Sequence, residues 1–263
     1  MNKTLQDVID TILQSIPGAP AEDTVDTFKS GDPSQNVTGI VTTFLASYHV
    51  IQRAVDLGAN LIITHEPTFY NHRDEVDWLR DDPVYDAKRE LLDENNVAVW
   101  RFHDHWHLHR PDGILTGMVK ELGWEAYADP ENPVIFGVPP LSLGELAGVF
   151  KEKLDIGTVR VVGDLEMTCR KVGLMLGAVG GRPQISFLGQ QDLDVLVCGE
   201  IAEWETSEYV RDATAQGKGK GLIILGHANS EEPGMKWLVE WLRSRFPDVD
   251  ITHVPVGDPF QYL

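Results

Sequence analysis

Cysteine is almost missing from this 263-residue chain: Cys169 and Cys198 are the only two, and they lie in unrelated surroundings. Two thiols build neither a cysteine-rich zinc site nor a disulfide framework, so a reducing, cytoplasmic compartment is expected. Any metal held here has to be held by histidine and carboxylate. Positive charge is the second scarcity, with 22 Lys and Arg against 41 Asp and Glu and a net charge of −19. Nucleic-acid affinity rests on cations that neutralise phosphates, and docking on anionic lipid needs them too. Neither nucleic acid nor a membrane is therefore an expected partner. Long apolar runs are absent as well. Residues 172–179 are far too short to span a bilayer, and residues 1–16 alternate polar and apolar positions at helical spacing, without the apolar core of a signal peptide. The acidic surplus keeps a chain soluble and favours cationic ligands, metal ions included.

What is present is the composition of an ordinary globular protein, 42% hydrophobic and 24% charged. At about 100–200 residues per domain, the length suits one large domain or two modest ones. Leu5, Val8, Ile9, Ile12 and Leu13 form a helical stripe. Strands are expected at 37–44, 60–64 and 97–102, alternating with helices at 50–57, 83–95 and 114–122. This rhythm predicts an α/β fold, a mainly parallel sheet flanked by helices. A linker-like stretch at 128–133 opens a smaller α/β second lobe, expected over 128–190, with a helix at 143–154 and strands at 158–162 and 171–179. From residue 195 the rhythm resumes, with strands at 195–198, 222–225 and 250–254 and helices at 203–215 and 231–245. The expected organisation is a discontinuous lobe of residues 1–127 plus 191–263, interrupted by the lobe 128–190. Gly217-Lys-Gly-Lys-Gly221 lacks the spacing of a phosphate-binding loop and reads as a turn.

Open α/β sheets bind ligands beyond the carboxyl ends of their strands. Four apolar strands here end in histidine or glutamate: His65 and Glu66 follow the second, His103 to His109 the third, Glu200 follows residues 195–198, and His227 follows residues 222–225. His227 and Glu231 face one point if Gly226 turns the chain and Ser230 caps the helix. An imidazole and a carboxylate together suit zinc, manganese or iron. Glu231 alone is equally what a helix start favours through its dipole. His103, His105, His107 and His109 alternate, and in an extended segment all four share one side, although His105 and His109 also fit a solvated loop. His49, His72 and His253 lack strand-end placement and read as structural or surface residues. Ser230 has no base partner outside the metal candidates, so a nucleophilic triad is not supported.

These motifs in their order, Asn60-Leu-Ile-Ile-Thr-His65-Glu66-Pro67, His103 to His107, Cys198-Gly199-Glu200 and Gly226-His227-Ala-Asn-Ser-Glu231, resemble the Nif-three-like proteins, a dinuclear-metal-centre family also called GTP cyclohydrolase I type 2-like. The resemblance covers roughly residues 1–125 and 195–263. It implies two divalent transition-metal ions (zinc, iron or manganese) bound by two adjacent histidines, an aspartate and a final histidine/glutamate pair. In this chain the second adjacent histidine is Glu66 and the aspartate position is His107, while His227 and Glu231 match outright. The two exchanges leave three histidines and two carboxylates, so His65, Glu66, His107, His227 and Glu231 are the expected metal ligands. The family's Trp-Asp-Asn segment is replaced by Val25-Asp26-Thr27-Phe28 and its Leu-Asp-x-Thr turn by Phe44-Leu45-Ala46-Ser47, which marks a divergent branch.

The expected function is that of a dinuclear metal-dependent hydrolase acting on a small molecule, nucleotide-like or a cyclic amide or amidine. His103 is the expected orienting or proton-transfer group, and Glu66 or Glu200 the general base. Arg101 or Arg110 is a candidate for holding phosphate. The alternatives are a metal-binding regulatory or trafficking protein without turnover, and an interaction scaffold that has lost its metals. By the resemblance, the chain is also expected to form homo-oligomers, as ring-shaped hexamers.

Overall fold

The protein is described by a computed structural model over residues 3–262. It forms two compact units, one of Met1–Thr116 with Gly234–Leu263 and one of Gly117–Pro233. Among the described residues no helix is long and apolar enough to cross a membrane.

The first unit begins with α1 (Leu5–Leu13), which Thr4 and Asp7 cap reciprocally and whose stripe Leu5, Val8, Ile9 and Ile12 is buried. Then follow β1 (Phe28–Ser30), β2 (Ile40–Thr43), α2 (Tyr48–Asp56), β3 (Leu61–Thr64), α3 (Pro83–Glu94), β4 (Ala98–Arg101) and α4 (Asp104–Leu108), while α5 (Gly113–Leu122) begins in the first unit and ends in the second. The sheet order is β1-β4-β3-β2-β10, where β10 is Ile251–His253. Its pairs are parallel except for the edge strand β1, which runs antiparallel to β4. Every residue of β2, β3 and β4 is buried, as in a parallel sheet covered on both faces. Val41, Ile51, Ile62, Leu92 and Val99 share one core.

The second unit contains β5 (Ile135–Ser142), α6 (Leu143–Leu154), β6 (Arg160–Val162), β7 (Thr168–Met175), α7 (Gly181–Gln190), β8 (Val195–Cys198), α8 (Glu208–Ala215, entered through a wide turn at Glu203–Ser207) and β9 (Gly221–Ile224). Its order is β5-β7-β8-β9-β6, with β7, β8 and β9 parallel and the two edges antiparallel. Leu188, Leu193, Leu196 and Leu222 fill its core. The last helix, α9, is His227–Arg243.

The mainly parallel α/β reading holds, but the lobe boundaries fall elsewhere. The return expected near residue 191 comes only at 234, because β8 pairs with β7 and β9 with β8, and neither joins the first sheet. Both units use the same strand–helix–strand rhythm, so periodicity does not reveal which sheet a strand joins. β5 was not expected either. Pro139 and Pro140 argue against a strand, yet an edge strand with a register shift between Gly137 and Leu141 accommodates them.

Candidate metal centre

In the first unit β3 delivers His65 at its carboxyl end, fully buried, with its backbone N–H donating to Phe44 O at 3.1 Å. The alternating histidines beyond β4 are not extended. They form the short helix α4, in which His107 N donates to His103 O at 3.1 Å and His109 N to His105 O at 2.9 Å. A carboxylate from far away fixes this helix. Asp26 Oδ1 accepts from His103 N (2.8 Å) and Asp104 N (3.1 Å), and its Oδ2 accepts from His105 N (2.9 Å). Helical spacing then separates what an extended chain would have grouped. His103 and His107, one turn apart, join His65, while His105 and His109 leave the cluster.

Ring centroids are 4.6 Å apart for His65 and His103, 5.0 Å for His65 and His107, and 5.0 Å for His103 and His107. One ligand atom from each of the three lies within 4.8 Å of the others. The Nδ1 atoms are all engaged: His65 with Phe102 O at 3.2 Å, His103 with Asp104 Oδ1 at 2.9 Å, and His107 with Asp112 Oδ2 at 2.8 Å. A carbonyl or carboxylate only accepts, so each Nδ1 carries a proton, and in the neutral ring the lone pair is on Nε2. Burial, reinforced by His103 and His107, pushes His65 well below the usual histidine range and keeps it neutral at neutral pH. Burial also works against ionisation of Asp104, but hydrogen bonds from His103, Val25 N and Thr24 outweigh it and pull the carboxyl down to about 2.

Glu66 stands beside this cluster, its Oε2 3.1 Å from Arg101 Nη2 and its Oε1 3.5 Å from His103 Nε2. Arg101 is fully buried and donates to His65 O at 3.0 Å and to His72 O, so it is a structural cation and not a phosphate holder. Arg110 donates to His107 O at 2.9 Å and His109 O at 3.1 Å. His105 is buried, with Nδ1 2.7 Å from Asp26 Oδ2 and Nε2 accepting from Ala21 N at 3.1 Å. His109 Nδ1 lies 2.6 Å from Pro111 O, and its Nε2 accepts from Trp241 at 3.2 Å. His253 Nδ1 lies 3.2 Å from Thr42 Oγ1. His72, read from sequence as a structural or surface residue, is exposed, with its ring 6.1 Å from that of His103.

The second unit carries its own group. Gly226 turns the chain at φ 92°, and α9 starts directly at His227, so Ser230 lies inside the helix and is not its cap. Ser230 Oγ instead donates to His227 O at 2.8 Å and accepts from Gly177 N at 2.9 Å. His227 and Glu231 are one turn apart on one face. His227 Nδ1 lies 2.9 Å from Glu200 Oε1, and its Nε2 lies 3.1 Å from Glu231 Oε2. Two donors each about 2.1 Å from one ion, at tetrahedral or octahedral angles, stand roughly 3.0–3.4 Å apart, and this pair fits that separation. Gly177, at φ 71°, is needed here because a Cβ would run into the Glu231 carboxylate.

Of the expected ligands, the structure thus gathers His65 and His107 with His103 in one unit, places Glu66 on Arg101 beside them, and gathers His227 and Glu231 with Glu200 in the other. Sequence reading missed Asp26, Asp104 and Asp112, the carboxylates that fix the helix and its imidazoles. Asp104 and Asp112 flank the histidines in sequence and were open to recognition as Nδ1 partners, but Asp26 carried no local signal.

The family model described as Duf34/NIF3 (NGG1p interacting factor 3) matches residues 4–258. Proteins named GTP cyclohydrolase 1 type 2 homolog are similar to the chain. That of Clostridium perfringens is 23% identical over 246 residues, spanning 89% of each sequence. That of Vibrio cholerae is 25% identical over 230 residues, spanning 85% of this chain and 86% of its own length. Among solved structures, a Staphylococcus aureus hypothetical protein superposes over 100% of both chains with a TM-score of 0.79 at 19% identity, a likeness of fold.

Proposed function

Because the chain belongs to the Duf34/NIF3 family, we propose that it is a metal-dependent hydrolase in which His65, Glu66, His107, His227 and Glu231 provide the ligands for two divalent ions of zinc, iron or manganese. One observation carries the reading: His65, His103, His107 and His227 all hold Nδ1 against a carbonyl or carboxylate, so that Nε2 is the basic nitrogen of each neutral ring. Such backing of the distal nitrogen is what fixes imidazoles for coordination. His105 and His109 are backed at Nδ1 as well, but their Nε2 accepts from Ala21 N and from Trp241 and takes no part in the cluster. The donor set of imidazoles and carboxylates, without thiolate, fits these ions.

Two such ions, when bound by these residues, would supply a water activated at neutral pH and a Lewis acid for the electrophile. Glu200 orients His227 and, being half exposed, has an oxygen for proton transfer; His103, with Nδ1 held by Asp104, takes or gives a proton through Nε2. The name shared by the relatives supports a nucleotide-like or cyclic amide or amidine substrate. Assembly as a ring-shaped hexamer belongs to the same reading and rests on the family resemblance.

Metal analysis of the purified protein tests the proposal. About two equivalents of transition metal are expected, falling by at least one in the His227→Ala/Glu231→Gln double variant. Less than about a tenth of an equivalent, unrecovered on reconstitution, defeats it. Loaded protein is then assayed on cyclic amides, phosphoesters and GTP. Metal without turnover on any of them replaces hydrolysis by metal buffering or delivery.

A further inference from the structure

We infer that the ion bound in the first unit is held by three histidine nitrogens, from His65, His103 and His107, and that Glu66 stays on Arg101 and is not its ligand. The inference rests on the metal-binding reading above and exchanges one ligand in it.

Three imidazoles are already grouped, with one ligand atom from each within 4.8 Å of the others, a span that small side-chain rotations close. His103 is not an accidental member. It is set by the same two devices as His107: the helix α4, which places the two one turn apart, and a carboxylate on its Nδ1.

Glu66 has a different commitment. The Arg101 guanidinium is fully buried and permanently charged, and its Nε and Nη1 are taken by the carbonyls of His65 and His72. Its short carboxylate contact is Glu66 at 3.1 Å. Asp74 stands 3.9 Å away and is shared with Lys29 at 3.4 Å. Drawing Glu66 onto a metal would leave a buried cation inadequately compensated, the costly half of breaking a buried ion pair. Glu66 therefore anchors Arg101, and through it the His65 carbonyl, while its negative charge acts on the ion through space.

The chemistry follows from the donors. Three neutral imidazoles form a borderline-soft set that suits zinc, cobalt, nickel or copper and serves manganese and magnesium poorly, since these prefer oxygen. Three protein ligands also leave one position of a tetrahedral site open.

The test is cobalt(II) titration of the full-length His227→Ala/Glu231→Gln protein, followed by d–d absorption and calorimetry, with manganese(II) as competitor. One cobalt is expected, with the strong visible bands of a four-coordinate site, and an equal concentration of manganese does not displace it. Adding His103→Gln should weaken binding at least about tenfold, and adding Glu66→Gln less than about threefold. Loss on Glu66→Gln as large as on His103→Gln, or no loss on His103→Gln, overturns the inference and leaves the metal-binding reading standing. Failure of the unmodified protein to bind any cobalt overturns both. Should the Glu66 variant not fold, X-ray absorption of the cobalt-loaded double variant decides: three imidazole shells support the assignment, and two or fewer overturn it.

Discussion

Replacing Asp26 by Asn should loosen the histidine cluster without touching it. The Asp26 side chain is fully buried and accepts four hydrogen bonds, from the backbone of His103, Asp104 and His105 and from His105 Nδ1, at 2.7–3.1 Å. Asparagine keeps one acceptor oxygen. Its amide group must face at least one pair of N–H donors, which then lose their acceptor while still buried. Hydrogen bonds to a charged group are worth about 1.5–3 kcal/mol, and a stranded buried donor costs about 1–3 kcal/mol. Two bonds lost and two weakened, with some relaxation of the segment that carries residue 26, give a destabilisation of about 3–5 kcal/mol. That is a large fraction of a folding free energy of about 5–15 kcal/mol, yet it leaves a folded population. Urea unfolding should show a lower midpoint at unchanged slope. Because the same bonds fix α4, cobalt affinity of the folded variant should fall about 10–100-fold, the effect of losing a support behind metal ligands. His105→Gln, which removes one of the four bonds and leaves the helix start in place, should cost less on both measures. An Asp26→Asn protein with stability within about 1 kcal/mol of wild type and full cobalt affinity would refute the reasoning.

Glu200→Gln should leave stability within about 0.5 kcal/mol, as its side chain is half exposed, while metal affinity falls about tenfold from the weaker hold on His227 Nδ1; equal affinity by calorimetry would remove Glu200 from the site. Gly177→Ala combines a positive φ of 71° with a Cβ driven into the Glu231 carboxylate, so it should cost about 1–3 kcal/mol and lower metal occupancy, both read on one purified sample. Burial lowers Lys88 from its usual 10.5 to about 8. Below pH 8 both folded and unfolded chains hold this proton. Between about 8 and 10.5 only the unfolded chain does, so stability rises with pH through that window, by up to about 3 kcal/mol from this residue. Urea unfolding of wild type and Lys88→Met at pH 7.5 and 10 should show wild type gaining relative to the variant, and an equal pH response in both would contradict the burial argument.

Elements were legible where a local pattern is enough. The stripe of α1, the helix α6 and the strand β8 lie where spacing and capping residues put them, because amphipathic period and caps are properties of neighbours in sequence. Membership of a sheet is not such a property. β8 and β9 carry the same short apolar runs as β3 and β4, and only the pairing of β8 with β7 and of β9 with β8 assigns them to the second unit.

The site shows the same division more sharply. That histidine and glutamate sit at strand ends was readable, since β3, β4, β8 and β9 all end where their apolar runs end. Which of those histidines act together was not, because the answer turns on whether residues 104–108 are extended or helical. Five residues with two histidines and a tryptophan have no strong preference of their own. The helix is imposed by Asp26, 77 residues before His103, whose carboxylate occupies the N–H groups that an unfavoured short helix leaves open. A period of two would have aligned four histidines in a row and suggested a loose, solvated chelate. A period of 3.6 selects His103 and His107, turns His105 inward onto Asp26, and sends His109 to the tryptophan cluster. Glu66 was legible as a carboxylate in the right place and illegible in its role, because Arg101, which claims it, reads locally as one polar residue ending a strand. An exchange of ligand types that looks balanced in sequence is therefore not balanced in space: the imidazole gained at His107 joins the cluster, and the carboxylate gained at Glu66 is held by a buried guanidinium.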